Sequence, residues 1–147
     1  MQNKRTKMQN NNSKTKLELK KRAYLYSLKI IKFIDYLDKK DFTVQIIVKQ
    51  LLRSATSVGA NIIEAQAGTG KKDFTNFFSY ALKSANESKF WLGLLRDSKK
   101  ANKDKVDQLL QETKELSNIL GASIMTLRGK CRNIKRKTQS AKHYDEL

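Results

Sequence analysis

The chain of 147 residues contains no proline and a single cysteine, Cys131. Without proline there is no fixed φ and no missing amide donor to kink a helix, so long uninterrupted helices are permitted throughout. One cysteine excludes an internal disulfide and a cysteine metal cluster, and it reads as a free thiol in a reducing compartment. The only histidine, His143, lies near the end of the chain. The Glu-x-x-His pairs of a di-iron bundle are therefore missing. No apolar run approaches the roughly 20 residues of a membrane span. The basic opening MQNKRTKMQNNNSKTK is not followed by the apolar segment of a secretory signal. Nothing alternates with a period of two, so no sheet is expected. These absences point to a soluble, cytoplasmic protein with no catalytic residue, metal or cofactor to name.

What is present is helical periodicity. Leu19, Ala23, Tyr26, Ile30, Phe33 and Leu37 step by four and three. The rhythm returns in Val44, Val48, Leu51, Ala55, Val58, Ile62 and Ala65, and again from Phe74 through Phe78, Ala81, Ala85, Ser88 and Leu92 to Leu95. A fourth stripe starts at Leu109 and continues through Leu116, Leu120 and Ile124 to Ile134. Sustained 4-3 spacing keeps one face turned to a partner helix. The connections are short, which places consecutive helices side by side in opposite directions. The expected fold is an all-α, antiparallel up-and-down four-helix bundle, oligomeric, over residues 17–137, with helices at about 17–38, 42–67, 72–98 and 103–137. Asp41 suits the N-cap of the second helix and Gly68-Thr69-Gly70 its end. Residues 1–16 read as a basic disordered tail and 138–147 as a frayed one.

The stretch AGTGKKDF, Ala67 to Phe74, looks like a fragment of a phosphate-binding loop. A nucleotide loop needs a glycine five residues before its Gly-Lys, where Ala65 stands, and a hydroxyl after the lysine, where Lys72 stands. It must also follow a buried strand, and here the preceding pattern is helical. The glycines are better explained as a reversal between helices.

Charge is concentrated at the two ends of the sequence. The net charge is +17; residues 1–22 hold eight Lys/Arg against one acid and residues 128–147 hold seven against two. A folded body with basic arms fits a polyanion. The candidate nucleic-acid contacts are Lys14, Lys16, Lys20, Lys21 and Arg22 at one end, and Arg128, Lys130, Arg132, Lys135, Arg136 and Lys137 at the other.

Two further patterns stand out. Arg53, Ser57, Asn61 and Glu64 form a polar line beside the second apolar stripe, among unusually small residues. Enclosed polar groups need partners, and Glu87 on the third helix is available. We expect a structural polar network in which Arg53 faces Glu64 or Glu87, not a catalytic site, since no nucleophile or histidine is near. The third helix also carries Phe77, Tyr80, Trp91 and Leu94 outside its main stripe. This breadth fits a contact between identical subunits, or a core widened by the fourth helix crossing it.

The residues from Leu51 to Leu95 resemble the bacterial four-helix-bundle family of 23S rRNA intervening-sequence proteins. The resemblance rests on Arg53-Ser54-Ala55-Thr56-Ser57, Asn61-Ile62-Ile63-Glu64, Lys71-Lys72-Asp73-Phe74 and Ser84-Ala85-Asn86-Glu87, in that order. It implies an antiparallel four-helix bundle and a ring-like homopentamer. It brings no established catalytic residue. Some family members are encoded within insertions in 23S rRNA genes. A more distant relative in fold, the accessory variability protein of diversity-generating retroelements, is a basic pentamer that works with a reverse transcriptase and nucleic acid. The expected function is a non-enzymatic oligomer that binds RNA or DNA through basic surface and tails. The alternative is a protein-protein scaffold without a nucleic-acid role.

Overall fold

The computed structural model describes the backbone of residues 2–129 and side chains from residue 14 onward. It has four helices, α1 (Gln2–Asp35), α2 (Phe42–Ala67), α3 (Lys71–Asp97) and α4 (Lys103–Leu127), and no strand among the described residues.

Local chemistry sets the helix boundaries. The Asp41 carboxylate accepts the Val44 amide at 3.1 Å and caps the start of α2. Asn102 does the same for α4, accepting the Lys105 amide at 3.0 Å. Each satisfies one of the amides that a helix start leaves without an internal partner. α2 stops at Gly68, and α3 begins after Gly70, which supplies no side-chain cap. α4 ends two residues before Gly129, whose φ of 70° is the left-handed conformation that glycine adopts freely.

Two ends differ from the sequence expectation. α1 starts at Gln2, so the segment expected to be a disordered tail continues the first helix. No glycine precedes Gly59 and the chain has no proline, so nothing in this stretch interrupts the helix. The fourth helix stops at Leu127, not near 137, because Gly129 turns the chain. The remainder of that expected helix, from Lys130, lies outside the described residues.

The stripes converge on one core. Tyr26 and Ile30 of α1, Leu51 and Ile62 of α2, Leu92 and Leu95 of α3, and Leu116 and Leu120 of α4 are fully buried. Each large side chain so removed from water contributes about 1.5–3 kcal/mol before the entropy of ordering it is set against that gain. As residue numbers rise along α2 their partners on α3 fall: Asp41 meets Lys100, Ser54 meets Ser88 and Gly68 lies against Asp73. α1 and α4 behave likewise, with Tyr26 against Thr113 and Tyr36 against Lys105.

Buried polar groups sit inside this core as small pairs. Ser54 and Ser88 join α2 to α3 through a 2.9 Å hydrogen bond. The Tyr26 hydroxyl and Thr113 Oγ1 lie 2.8 Å apart, joining α1 to α4. Thr113 also donates to the Leu109 carbonyl, and Ser117 to that of Thr113. Among the described residues no buried side-chain nitrogen or oxygen lacks a partner, so the core carries no desolvation penalty from unpaired polar atoms.

Candidate nucleic-acid interface

One end of the bundle gathers the start of the packed part of α1, the α2–α3 turn and the end of α4. Gln66 Nε2 donates to the Lys16 carbonyl at 3.4 Å, and the Lys16 ammonium stands 5.6 Å from the centre of the Phe74 ring. A groove there is lined by Lys16, Gly68, Thr69, Gly70, Lys71 and Leu127. The uncapped first turn of α3 opens nearby, and a helix start carries partial positive charge.

Lys14, Lys16, Lys20 and Lys21 of α1, Lys71 and Lys72 of α3, and Arg128 belong to this end, and none forms an ion pair with a described residue. Its acids, Glu18, Glu64 and Asp73, form none either. Arg22 is different. Its guanidinium bonds Glu112 Oε1 at 3.0 Å and also the Glu115 carboxylate. These bonds, to Glu112 first, hold its pKa above the ordinary arginine value. Arg22 therefore ties α1 to α4. Lys130, Arg132, Lys135, Arg136 and Lys137 lie outside the described residues.

Lys71 and Lys72 were read from the sequence only as part of a turn. Their place beside a glycine-rich helix start was the available signal, because such a start exposes amide donors next to the cations.

At the opposite end four of the cations are paired with acids, while Lys40 and Lys99 form no ion pair with a described residue. Arg96 binds Asp97 and Asp107, both at 2.8 Å, and Lys103 binds Asp107 at 2.6 Å. Lys100 pairs with Asp41, and Lys39 with Asp35 at 3.6 Å. The Lys103 ammonium, then Arg96, holds the Asp107 carboxyl below the usual carboxylate range. Lys100 does so for Asp41, helped by the Val44 amide.

The polar line of α2 faces α3 in part. The Arg53 guanidinium bonds the Glu87 carboxylate, which also accepts the Trp91 indole N–H at 3.2 Å. Ser57 donates to the Arg53 carbonyl and Asn61 to that of Ser57. Glu64 is exposed; its carbonyl accepts the Gly68 amide at 3.1 Å, and its carboxylate makes no hydrogen bond with a described residue. The fully buried link between α2 and α3 is instead Ser54–Ser88, which sequence reading passed over because both residues fit the small-residue stripe.

Of the aromatic band on α3, Phe77 and Trp91 are half-buried and pack on the core, while Tyr80 and Leu94 are exposed. Phe77 meets Tyr80 edge-on at 6.0 Å. Among the described residues no three His, Cys, Asp or Glu side chains gather as a metal would need. None of the described helices is long and apolar enough to cross a membrane. The AGTGKKDF stretch joins two helices, so its glycines do not follow a strand.

Residues 15–122 match the 23S rRNA-intervening sequence protein family. The chain belongs to that family. A crystal structure of a protein of unknown function from the S23 ribosomal protein family of Bacteroides thetaiotaomicron VPI-5482 is similar, with a TM-score of 0.69 at 31% identity. The similarity covers 74% of this chain and 96% of that one. No curated protein matches. Within the family-matching region, the Arg53 to Ser57 and Ser84 to Glu87 elements meet along the α2–α3 seam through Arg53–Glu87, and Ser54 bonds Ser88, the residue after the second element.

Proposed function

We propose that this family member is a non-enzymatic, oligomeric nucleic-acid-binding protein of the cytoplasm, built as an antiparallel up-and-down bundle. The observation that carries the reading is the cluster of cations around the α2–α3 turn that no acid neutralises: Lys14, Lys16, Lys20, Lys21, Lys71, Lys72 and Arg128. Lysine and arginine so arranged contact phosphates, releasing counterions and reading little sequence. The basic residues from Lys130 to Lys137 follow Arg128 and Gly129 directly in the sequence.

In this reading subunits associate through the α3 band of Phe77, Tyr80, Trp91 and Leu94, and Arg53–Glu87 holds the register of α2 on α3. The assembly in this reading is a homopentamer, as family resemblance implies, which would repeat the basic end five times and raise avidity without new contacts. The test is a titration of labelled RNA at rising salt. Affinity should fall linearly in log–log form, by about 0.7–0.9 per phosphate contact. A flat dependence would overturn the reading.

A second reading, a protein scaffold, draws on the exposed side chains of Tyr24, Tyr36 and Phe42. A partner that stays bound through nuclease treatment and high salt would favour it.

A further inference from the structure

A second groove runs between α3 and α4, away from the basic end, with a volume of about 630 Å³. Asn86, Lys89, Phe90, Gly93 and Leu110 line it, and Arg96 and Asp97 close one end. Arg96 is neutralised by Asp97 and Asp107. Lys89 has no acid within ion-pair range among the described residues; the charge that acts on it is that of Lys114 on α4, one turn beyond the lining residue Leu110. Burial first, and then Lys114, pushes the Lys89 ammonium below the ordinary lysine value. Lys89 is half-buried and Lys114 exposed; like charges repel, and an anion that reaches both offsets that repulsion.

The same groove offers an aromatic surface. Phe90 is 58% exposed and touches Trp91 at 5.0 Å in an edge-to-face arrangement. Beside it, nothing lies within 4 Å of the place where a β-carbon on Gly93 would stand, so the floor is open. An exposed ring beside unneutralised lysines is the pairing that stacks a base and holds its phosphate. A duplex keeps its bases stacked and out of reach, and the major groove of an RNA duplex is too narrow for a side chain to read.

We propose that the α3–α4 groove is a single-stranded nucleic-acid site, with a base stacked on Phe90 and the adjoining phosphate between Lys89 and Lys114. It rests on the nucleic-acid reading above but uses a face that the basic end does not supply. Leu94 marks its boundary with the α3 band assigned to subunit contact.

The test uses the full chain, a labelled single-stranded oligoribonucleotide of about 12 nucleotides, within the site sizes of such surfaces, and an RNA duplex of equal length. Phe90→Ala should weaken the single strand about tenfold, leave its salt slope unchanged and leave the duplex unaffected. Lys89→Gln with Lys114→Gln should reduce the single-strand slope by about 1.4. Unchanged single-strand affinity in Phe90→Ala, or an equal loss on the duplex, overturns the site and leaves the basic-end reading standing. A shift in sedimentation on Phe90→Ala assigns the ring to a subunit contact and also overturns it. A wild-type chain that binds neither RNA removes both proposals together.

Discussion

The end of the bundle at the α2–α3 turn and the end at the α3–α4 connection both carry many lysines, yet they use them differently. At the α3–α4 end, Asp35, Asp41, Asp97 and Asp107 each hold a cation, and Asp107 holds two. At the α2–α3 end, Glu18, Glu64 and Asp73 hold none. Composition alone reports a basic protein. The distribution of acids decides which basic surface is already satisfied and which still faces a mobile counterion. Such ions, when released, supply the binding free energy of nucleic-acid contacts.

The largest effect should come from removing that asymmetry. Changing Lys14, Lys16, Lys20, Lys71, Lys72 and Arg128 to glutamine should cost on the order of a hundredfold in RNA affinity at about 100 mM salt. The same change at Lys39, Lys100 and Lys103 should cost little, because their charges are already paired. Filter binding at fixed salt separates the two sets.

Next in size is a lesion that ignores the comparison. Leu92 is fully buried in the C-terminal part of α3. Leu92→Ala should destabilise the fold by about 3 kcal/mol through lost burial and a cavity, measured by urea unfolding, without changing the salt slope of RNA binding. Tyr26→Phe should cost less, about 1 kcal/mol, because it deletes the hydroxyl facing Thr113, which keeps its bond to the Leu109 carbonyl.

The smallest effect sharpens the contrast between the ends. Asp41, Asp97 and Asp107 titrate below their unfolded values, chiefly through Lys100, Arg96 and Lys103 respectively. A lowered carboxyl pKa adds stability that is complete above the unfolded value of about 4 and is lost as pH falls through the folded one. Thermal melts from about pH 5 to pH 2 should therefore fall. Asp107→Asn should flatten that fall, because it removes the carboxylate shared by Arg96 and Lys103.

Much of the bundle was legible in advance because its signals are local. The bounds of α2 follow from Asp41 and Gly68, and the 4-3 stripes name most of the buried positions. The errors came from features that spacing does not report. Residues 2–16 lack an apolar stripe, yet a helix can continue without a buried face when nothing breaks it. Gly129 is a recognisable C-terminal signal, but Cys131 and Ile134 continue the apolar spacing past it and mask that signal in the sequence. In the candidate interface, Arg22 looked like its basic neighbours in sequence. Only the approach of α4 brings Glu112 and Glu115 to it.

The most direct test compares the salt dependence of RNA binding in the wild-type chain and in the variant with the α2–α3 end neutralised. A steep log–log slope that shrinks by about 0.7–0.9 for each contacting charge removed, with sedimentation unchanged, is the expected result. Equal slopes in the two proteins, or none in either, would contradict the assignment of that end to nucleic acid.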